Sequence, residues 1–376
     1  MTGNVFQWTA GCFGDYANAV TDNRRAKVEI FPQQKNKQMR SRLLLVAILT
    51  ALASPSHADA IEDFYKGRTI TVLIGYSPGG SYDAAGRVLA RYMGRYIPGN
   101  PSFVSQNMPG AGTLNLANYL YNVAPKDGTS FGIFARGMAM EPLIGGSNTK
   151  FEAAKFTWIG SAANEISLCA TYESSPVKTW NDALTKEFTV AGNGSGSDPD
   201  VFANVLRNAF GVKNRLISGY PGSAEISLAM ERGEIDGRCG WSWSSIKAEK
   251  SQWLAEHKLN LIVQLALEKA ADLPNVPLIT DLATDERQRQ ILKLIFSRQT
   301  MGRPFAGPPG IPADRAEALR HAFDLTMKDP EFLEEAQKRG LEINPVSGHD
   351  LEQLIAELYR TPKDVVAQAR AATERR

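Results

Sequence analysis

Four short loops carry residue types that can hold an anion without a charged side chain. They are Ser77-Pro-Gly-Gly-Ser81, Pro109-Gly-Ala-Gly-Thr113, Gly192-Asn-Gly-Ser-Gly-Ser197 and Gly219-Tyr-Pro-Gly-Ser223. Glycine lets successive backbone N–H groups converge on one point, and a helix behind such a loop adds about half a positive charge at its N-terminus. Each loop follows a strand-like run and precedes a helix-like one. Together they predict a cleft that binds a carboxylate.

Two stretches imitate enzyme motifs and depart from them where it matters. Gly75-Tyr-Ser-Pro-Gly79 matches G-x-S-x-G, the nucleophile elbow of α/β-hydrolases. In that elbow the residue after the serine donates its N–H to the oxyanion, and here it is Pro78, which has none. A hydrolase using Ser77 or a second serine remains the rival reading, and it would need a base within hydrogen-bond reach. Gly192-x-Gly194-x-Gly196 ends on Ser197 where a dinucleotide fingerprint has glycine, and no G-x-x-x-x-G-K-[ST] occurs. No cofactor is expected. His257, His321 and His349 lack Cys, Asp or Glu partners at metal spacing, and the three cysteines form no C-x-x-C pair, so no metal site is expected either. His321 falls in a helical pattern and reads as a surface or half-buried residue.

Among charged and aromatic candidates, Asp83 sits in the first turn of a helix with Arg87 four residues on, which suits an ion pair or a ligand contact. Arg136 follows a strand end, where its forked guanidinium could clamp a carboxylate or serve the scaffold. Trp241-Ser-Trp243 follows another strand and could line the pocket or fill core.

The elements that must position these groups alternate. Thr69–Tyr76 is a β-branched run that reads as a buried parallel strand. Helical spacing follows over 82–96, then a strand at 103–106, a helix at 114–123 and a strand at 129–134. A second set has strands at 166–171, 188–191, 215–218, 235–241 and 259–267, with helices at 201–210 and 225–232. Thr179-Trp-Asn-Asp182 and Ser347-Gly-His-Asp350 are capping boxes, and the C-terminal stretch is mostly helical. Two βα sets predict two doubly wound α/β domains with the ligand crevice at the carboxyl ends of the strands. The expected division is 59–163 with 300–376 as domain 1, and 164–299 as domain 2.

Length and composition agree with this. The chain has 376 residues, 43% hydrophobic and 22% charged, with 42 basic and 40 acidic side chains. That near-neutral balance gives no sign of nucleic-acid binding. The long apolar run, Leu43–Ala53, is too short to span a bilayer. It lies inside a secretory pattern: basic Arg40 and Arg42, the apolar run, and Ser56-His-Ala58 as a small-x-small cleavage site. Met39 is therefore read as the true initiator, residues 1–38 as a mis-annotated extension, 39–58 as a signal peptide, and the location as periplasmic. Cleavage after Ala58 removes seven of the basic and three of the acidic residues, leaving 35 against 37. Cys12 leaves too, so Cys169 and Cys239 remain as an even pair, as a disulfide or as two buried thiols.

These features resemble the extracytoplasmic solute receptors of tripartite tricarboxylate transporters, the Bug receptors. The likeness rests on Tyr76-Ser-Pro-Gly-Gly80 with Asp83 and Arg87, Asn107-Met-Pro-Gly-Ala-Gly112, Ala124-Pro-Lys-Asp-Gly128, Gly194-Ser-Gly-Ser197, Gly219-Tyr-Pro-Gly222 with Gly233-Glu-Ile-Asp-Gly237, and Pro308-Pro-Gly-Ile-Pro312, in family order across nearly the whole mature chain. It implies a type II periplasmic-binding-protein-like fold of two lobes that close on a small organic acid. It further implies a non-catalytic monomer that delivers the acid to membrane permease subunits. Carried over, Ser77, Gly79, Gly80, Ser81, Gly112 and Thr113 become carboxylate pincers beside Tyr76, with Ser195, Ser197 and Tyr220 on the facing lobe. Arg136 stands where a small hydroxyl residue is expected and Gly240-Trp-Ser-Trp243 is bulkier than usual, which points to a second anionic group and a flat ligand. A sensor lobe reporting to a signalling partner would use the same cleft.

Overall fold

Strand β1, Thr69–Ile74, is built of Thr, Ile, Val and Leu, and Ile70, Val72 and Ile74 are fully buried. Such residues suit a strand covered on both faces. β1 pairs in parallel with β2 (Ser102–Asn107) and β3 (Ser130–Ile133). The computed structural model describes residues 57–145 and 148–374. The leader and start-site readings therefore lie outside the described residues, except that His57 and Ala58 open a helix, His57–Tyr65.

The first sheet is completed by strands that run the other way. β4 (Thr157–Ser161) and β10 (Pro304–Gly307) pair antiparallel, β10 also pairs antiparallel with β3, and short β11 (Val346–Ser347) closes the edge. The order is β11-β4-β10-β3-β1-β2. The second sheet has the order β7-β6-β8-β5-β9, from β5 (Ser167–Tyr172), β6 (Phe188–Gly192), β7 (Asn214–Ser218), β8 (Gly237–Ser242) and β9 (Leu259–Leu265). β6 runs parallel to β7 and β8, whereas β5 is antiparallel to β8 and β9. The fold is thus α/β with two sheets, as expected, and both sheets are mixed. β4 and β10 escaped the sequence reading because they are short, and the alternation that marks a half-exposed strand is absent where every residue is buried.

The chain crosses between the sheets twice, and the crossings bond to each other. Ala162 N–H donates to Arg303 O at 3.0 Å, Gly302 N–H to Ala163 O at 2.7 Å, and Glu165 N–H to Gln299 O at 2.9 Å. The C-terminal helix Lys363–Thr373 reaches the first set, where Thr373 Oγ1 donates to Ile144 O at 3.2 Å. It also packs on helix Asp198–Phe210, where Asn204 Nδ2 donates to Thr373 O at 3.0 Å. Cys169 and Cys239 face each other on β5 and β8 and are joined as a disulfide. Thr179 and Asp182 form the reciprocal capping box that their spacing predicts. Among the described residues no helix is long and apolar enough to cross a membrane.

Candidate functional site

The parallel strands end where the two sheets face each other, and the four glycine-rich loops meet there in pairs. Ser77 N–H donates to Pro221 O at 3.4 Å, and the Ser77 hydroxyl donates to Glu225 Oε2 at 3.2 Å. Gly112 N–H donates to Asn193 O at 2.9 Å. Behind the first loop, helix Ser81–Tyr92 begins at Gly80 with no side-chain cap, so its N-terminal amides face the gap. Between the sheets lies a cavity lined by Tyr76, Ser77, Gly80, Ser81, Tyr82, Ala135, Arg136, Asp198, Pro199, Ser223, Arg238, Gly240, Trp241, Ser242 and Ser245. Its volume is about 30 Å³, room for roughly one or two waters.

Of the residues singled out from the sequence, Tyr76, Ser77, Gly80, Ser81, Arg136 and Trp241 line this cavity. The Tyr76 ring packs on Tyr82 at 4.9 Å, and burial beside Tyr82 and Asp198 pushes its phenol well above the ordinary value. The others lie elsewhere, each for a visible reason. Gly79 is exposed and its N–H donates to Asp83 Oδ2 at 3.1 Å. Asp83 is a scaffold residue: burial would raise its carboxyl, but hydrogen bonds from Arg87, Asn107 and the Gly79 amide outweigh that and hold it below the usual range. The Gly112 amide is taken by Asn193. Thr113 N–H donates to Gly110 O at 2.9 Å, while the Thr113 hydroxyl accepts from Ala135 N–H at 2.9 Å. Neither amide is available to pinch a carboxylate in this arrangement.

The facing-lobe serines are likewise occupied. Ser195 donates to Glu141 Oε1 at 3.1 Å in a second, separate cavity. Ser197, fully buried, donates to Gly194 O at 2.7 Å and lies 2.9 Å from Asp200 Oδ2. Tyr220 packs on the apolar cluster under β8 rather than in the cavity. The elbow-like Ser77 has a carboxylate for a neighbour, Glu225, and Pro78 after it.

Arg136 enters the cavity wall already neutralised. Its Nε lies 2.7 Å from Asp198 Oδ2 in a buried ion pair not aligned as a hydrogen bond, and its Nη atoms donate to Gln299 Oε1 at 2.7 Å and Ser242 Oγ at 2.6 Å. Burial pulls the Arg136 guanidinium down, but Asp198 more than offsets it and lifts the group above the ordinary arginine value. Of the two roles the sequence leaves open for Arg136, these bonds fit the scaffold role, joining the two sheets in this arrangement. Its partner Asp198 was missed, although Asp198-Pro199 at a helix start was legible.

The residue that sequence reasoning missed altogether is Arg238. It is 8% exposed and is the second residue of β8. Among the described residues no carboxylate comes within 4.0 Å of it, whereas Arg136 and Arg298 share Asp198 and Arg303 pairs with Glu165 at 2.9 Å. One Nη donates to Ser223 Oγ at 2.9 Å, and its buried Nε donates to nothing. Burial draws the guanidinium below the usual arginine range. Trp241, three residues on, has its ring 5.7 Å from the Arg238 guanidinium and its buried Nε1–H also unpartnered. The signal was present: an arginine inside an otherwise apolar strand is costly unless something pairs with it.

Comparison with known proteins supplies the context. No family model matches the chain. Two curated relatives match it along most of their length. One is a UPF0065 protein from Agrobacterium vitis, 24% identical across 81% of this chain and 84% of the relative. The other is a UPF0065 protein from Cupriavidus necator, 25% identical across 85% and 92%. Among solved structures, the periplasmic binding protein BugD superposes with a TM-score of 0.65 at 19% identity, covering 81% of this chain and 98% of BugD. The chain has the Bug-type periplasmic binding fold. Other Bug-type neighbours are MatC from Rhodopseudomonas palustris, solved with malate (TM-score 0.63, 19% identity, 80% and 99% covered), and a second R. palustris protein solved with adipate (0.62, 18%, 81% and 97%). In the Bug-type fold of this chain, Arg238 and the open N-terminus of helix Ser81–Tyr92 face one cavity from opposite sheets.

Proposed function

We propose that this protein is a non-catalytic extracytoplasmic receptor that captures an organic carboxylate between its two lobes and hands it to membrane permease subunits. The observation that carries the reading is Arg238: a buried guanidinium in a cleft, without an acidic partner, calls for an anion from outside. The malate and adipate found with MatC and its R. palustris neighbour are anions of that kind. The UPF0065 relatives and the Bug-type fold support membership of the Bug receptor family. The lobes would be 59–163 with 300–376 and 164–299, and the paired crossings at 162–165 and 299–303 would serve as hinge.

A cavity of about 30 Å³ is too small for a dicarboxylate, so capture requires the loop pairs to part and close again. Ligand contacts on both lobes then favour the closed state. Ser81 with its helix N-terminus would take one carboxylate oxygen set. Arg238 and Trp241 would take the other end, with Tyr76, Ser77, Gly80 and Ser223 as walls. Export through a leader cleaved near Ala58 would put the receptor in the periplasm.

Thermal-shift screening against mono-, di- and tricarboxylates and aromatic acids tests the reading. A ligand at 100 times its dissociation constant stabilises the fold by about 2.7 kcal/mol. A melting shift with a subset of the acids, without turnover of any of them, is the expected result. No shift with the whole set, or product formed by purified protein, overturns it.

A further inference from the structure

Glu249 ends the helix Trp243–Glu249 on the second-sheet side of the cleft. Its Oε1 is buried and accepts no hydrogen bond. The charged groups that face the carboxyl are Arg238 from β8, Arg303 from the crossing before β10, and Lys250 beside it, and the Ser81 backbone N–H reaches it from the first-sheet helix. Lys250 is shared with Glu231 at 3.6 Å. Arg303 is committed to Glu165, and also donates to Ser81 Oγ at 3.2 Å and Ser245 Oγ at 3.1 Å. Glu249 therefore draws on the two donors, Arg238 and the helix N-terminus at Ser81, that the receptor reading assigns to the ligand.

We propose that Glu249 takes up a proton as the cleft binds its anion, so that ligand capture is coupled to pH. The inference rests on the receptor reading and concerns the regulation of that same site. An incoming carboxylate that pairs with Arg238 offsets that cation's pull on Glu249 and adds a like charge to the site, and both effects favour the neutral carboxyl. Burial already holds the Glu249 carboxyl above the usual carboxylate range, with Arg238, Arg303 and the Ser81 amide only partly offsetting it. A neutral Glu249 also removes a negative charge from the surroundings of Arg238, the cation that the receptor reading assigns to the ligand.

The experiment is titration calorimetry of the full protein with malate, adipate and any further acid returned by the melting screen. It is run between about pH 6 and 8, where the acid's own carboxyl groups stay ionised. Buffers of different ionisation heat report the protons exchanged. Wild type is expected to take up protons on binding and to gain affinity as pH falls, by up to about tenfold per pH unit, the limit for one linked proton. Glu249→Gln is expected to bind with a flat pH profile and no uptake. Equal slopes in the two proteins, or no uptake by wild type, overturn the coupling while leaving the receptor reading intact. The wild-type measurement decides this even if the variant does not fold. Absence of binding by every acid sinks the receptor reading, and the coupling with it.

Discussion

Gly112 and Gly194 touch backbone to backbone across the cleft. Gly112 has φ +64°, and a methyl group on it would stand 2.6 Å from the carbonyl oxygens of Gly194 and Ser195. Both the conformation and the contact demand glycine. Gly112→Ala is expected to disfavour the closed arrangement by roughly 1–2 kcal/mol from backbone strain alone, which lowers ligand affinity about tenfold. Calorimetric affinities of the two proteins check this, and a variant that binds as tightly as wild type contradicts it.

Arg238 sets binding against stability. Arg238→Met removes a buried charge that lacks a partner and keeps most of the side-chain volume, so the unliganded protein is expected to melt higher than wild type. Carboxylate affinity should fall by about 2–5 kcal/mol, the range for losing one side of a buried charge pair. Melting curves and titrations on the same preparation report both effects. Unchanged affinity would remove Arg238 from the site.

Arg136 should behave in the opposite way. Arg136→Ala strands Asp198 with only Arg298 at 3.4 Å and empties a buried position. Breaking a buried pair from one side costs about 3–5 kcal/mol, so urea midpoints should drop steeply. Whatever binding survives should not distinguish diacids from monoacids. A selective loss of diacids with stability intact would restore Arg136 as a ligand clamp.

The contrast between these two arginines shows what the chain discloses by itself. Glycine-rich loops between β-branched runs and helical runs marked the strand ends, the two α/β sets and the cavity residues Ser77, Gly80, Ser81 and Ser223, because turn chemistry and periodicity are local. Arg136 was visible as a cation at a strand end, but its neutralisation depends on Asp198, 62 positions away at the start of a helix in the second set. Arg238 was overlooked because an arginine in a short strand reads as ordinary until neighbouring strands bury it and no carboxylate arrives. β4 and β10 were hidden for a related reason: a fully buried strand of four or five residues has no alternation to betray it.

The disulfide links neighbouring strands over a sequence separation of 70. On the chain-entropy model a loop of that length stabilises by about 4 kcal/mol, with engineered cases usually giving less. Reductant, or the double substitution Cys169→Ala with Cys239→Ala, is therefore expected to lower the melting temperature without abolishing carboxylate binding, since neither cysteine lines the cavity. Identical melting curves with and without reductant would show that the two sulfurs are not joined in the isolated protein.

Glu249 also makes a prediction in the absence of ligand. Burial raises its carboxyl above the unfolded value, which is about 4.3. Between those two pKa values the folded protein keeps a proton that the unfolded chain has released, so stability declines as pH rises through that window and stays lower above it. Below the unfolded value both states are protonated and the penalty vanishes. Glu249→Gln, neutral at every pH, should therefore gain in stability relative to wild type as pH rises to neutral. The advantage should close as pH falls toward about 4. Urea midpoints measured from acid to neutral pH test this, and parallel profiles for the two proteins would mean that burial does not raise the carboxyl above its unfolded value.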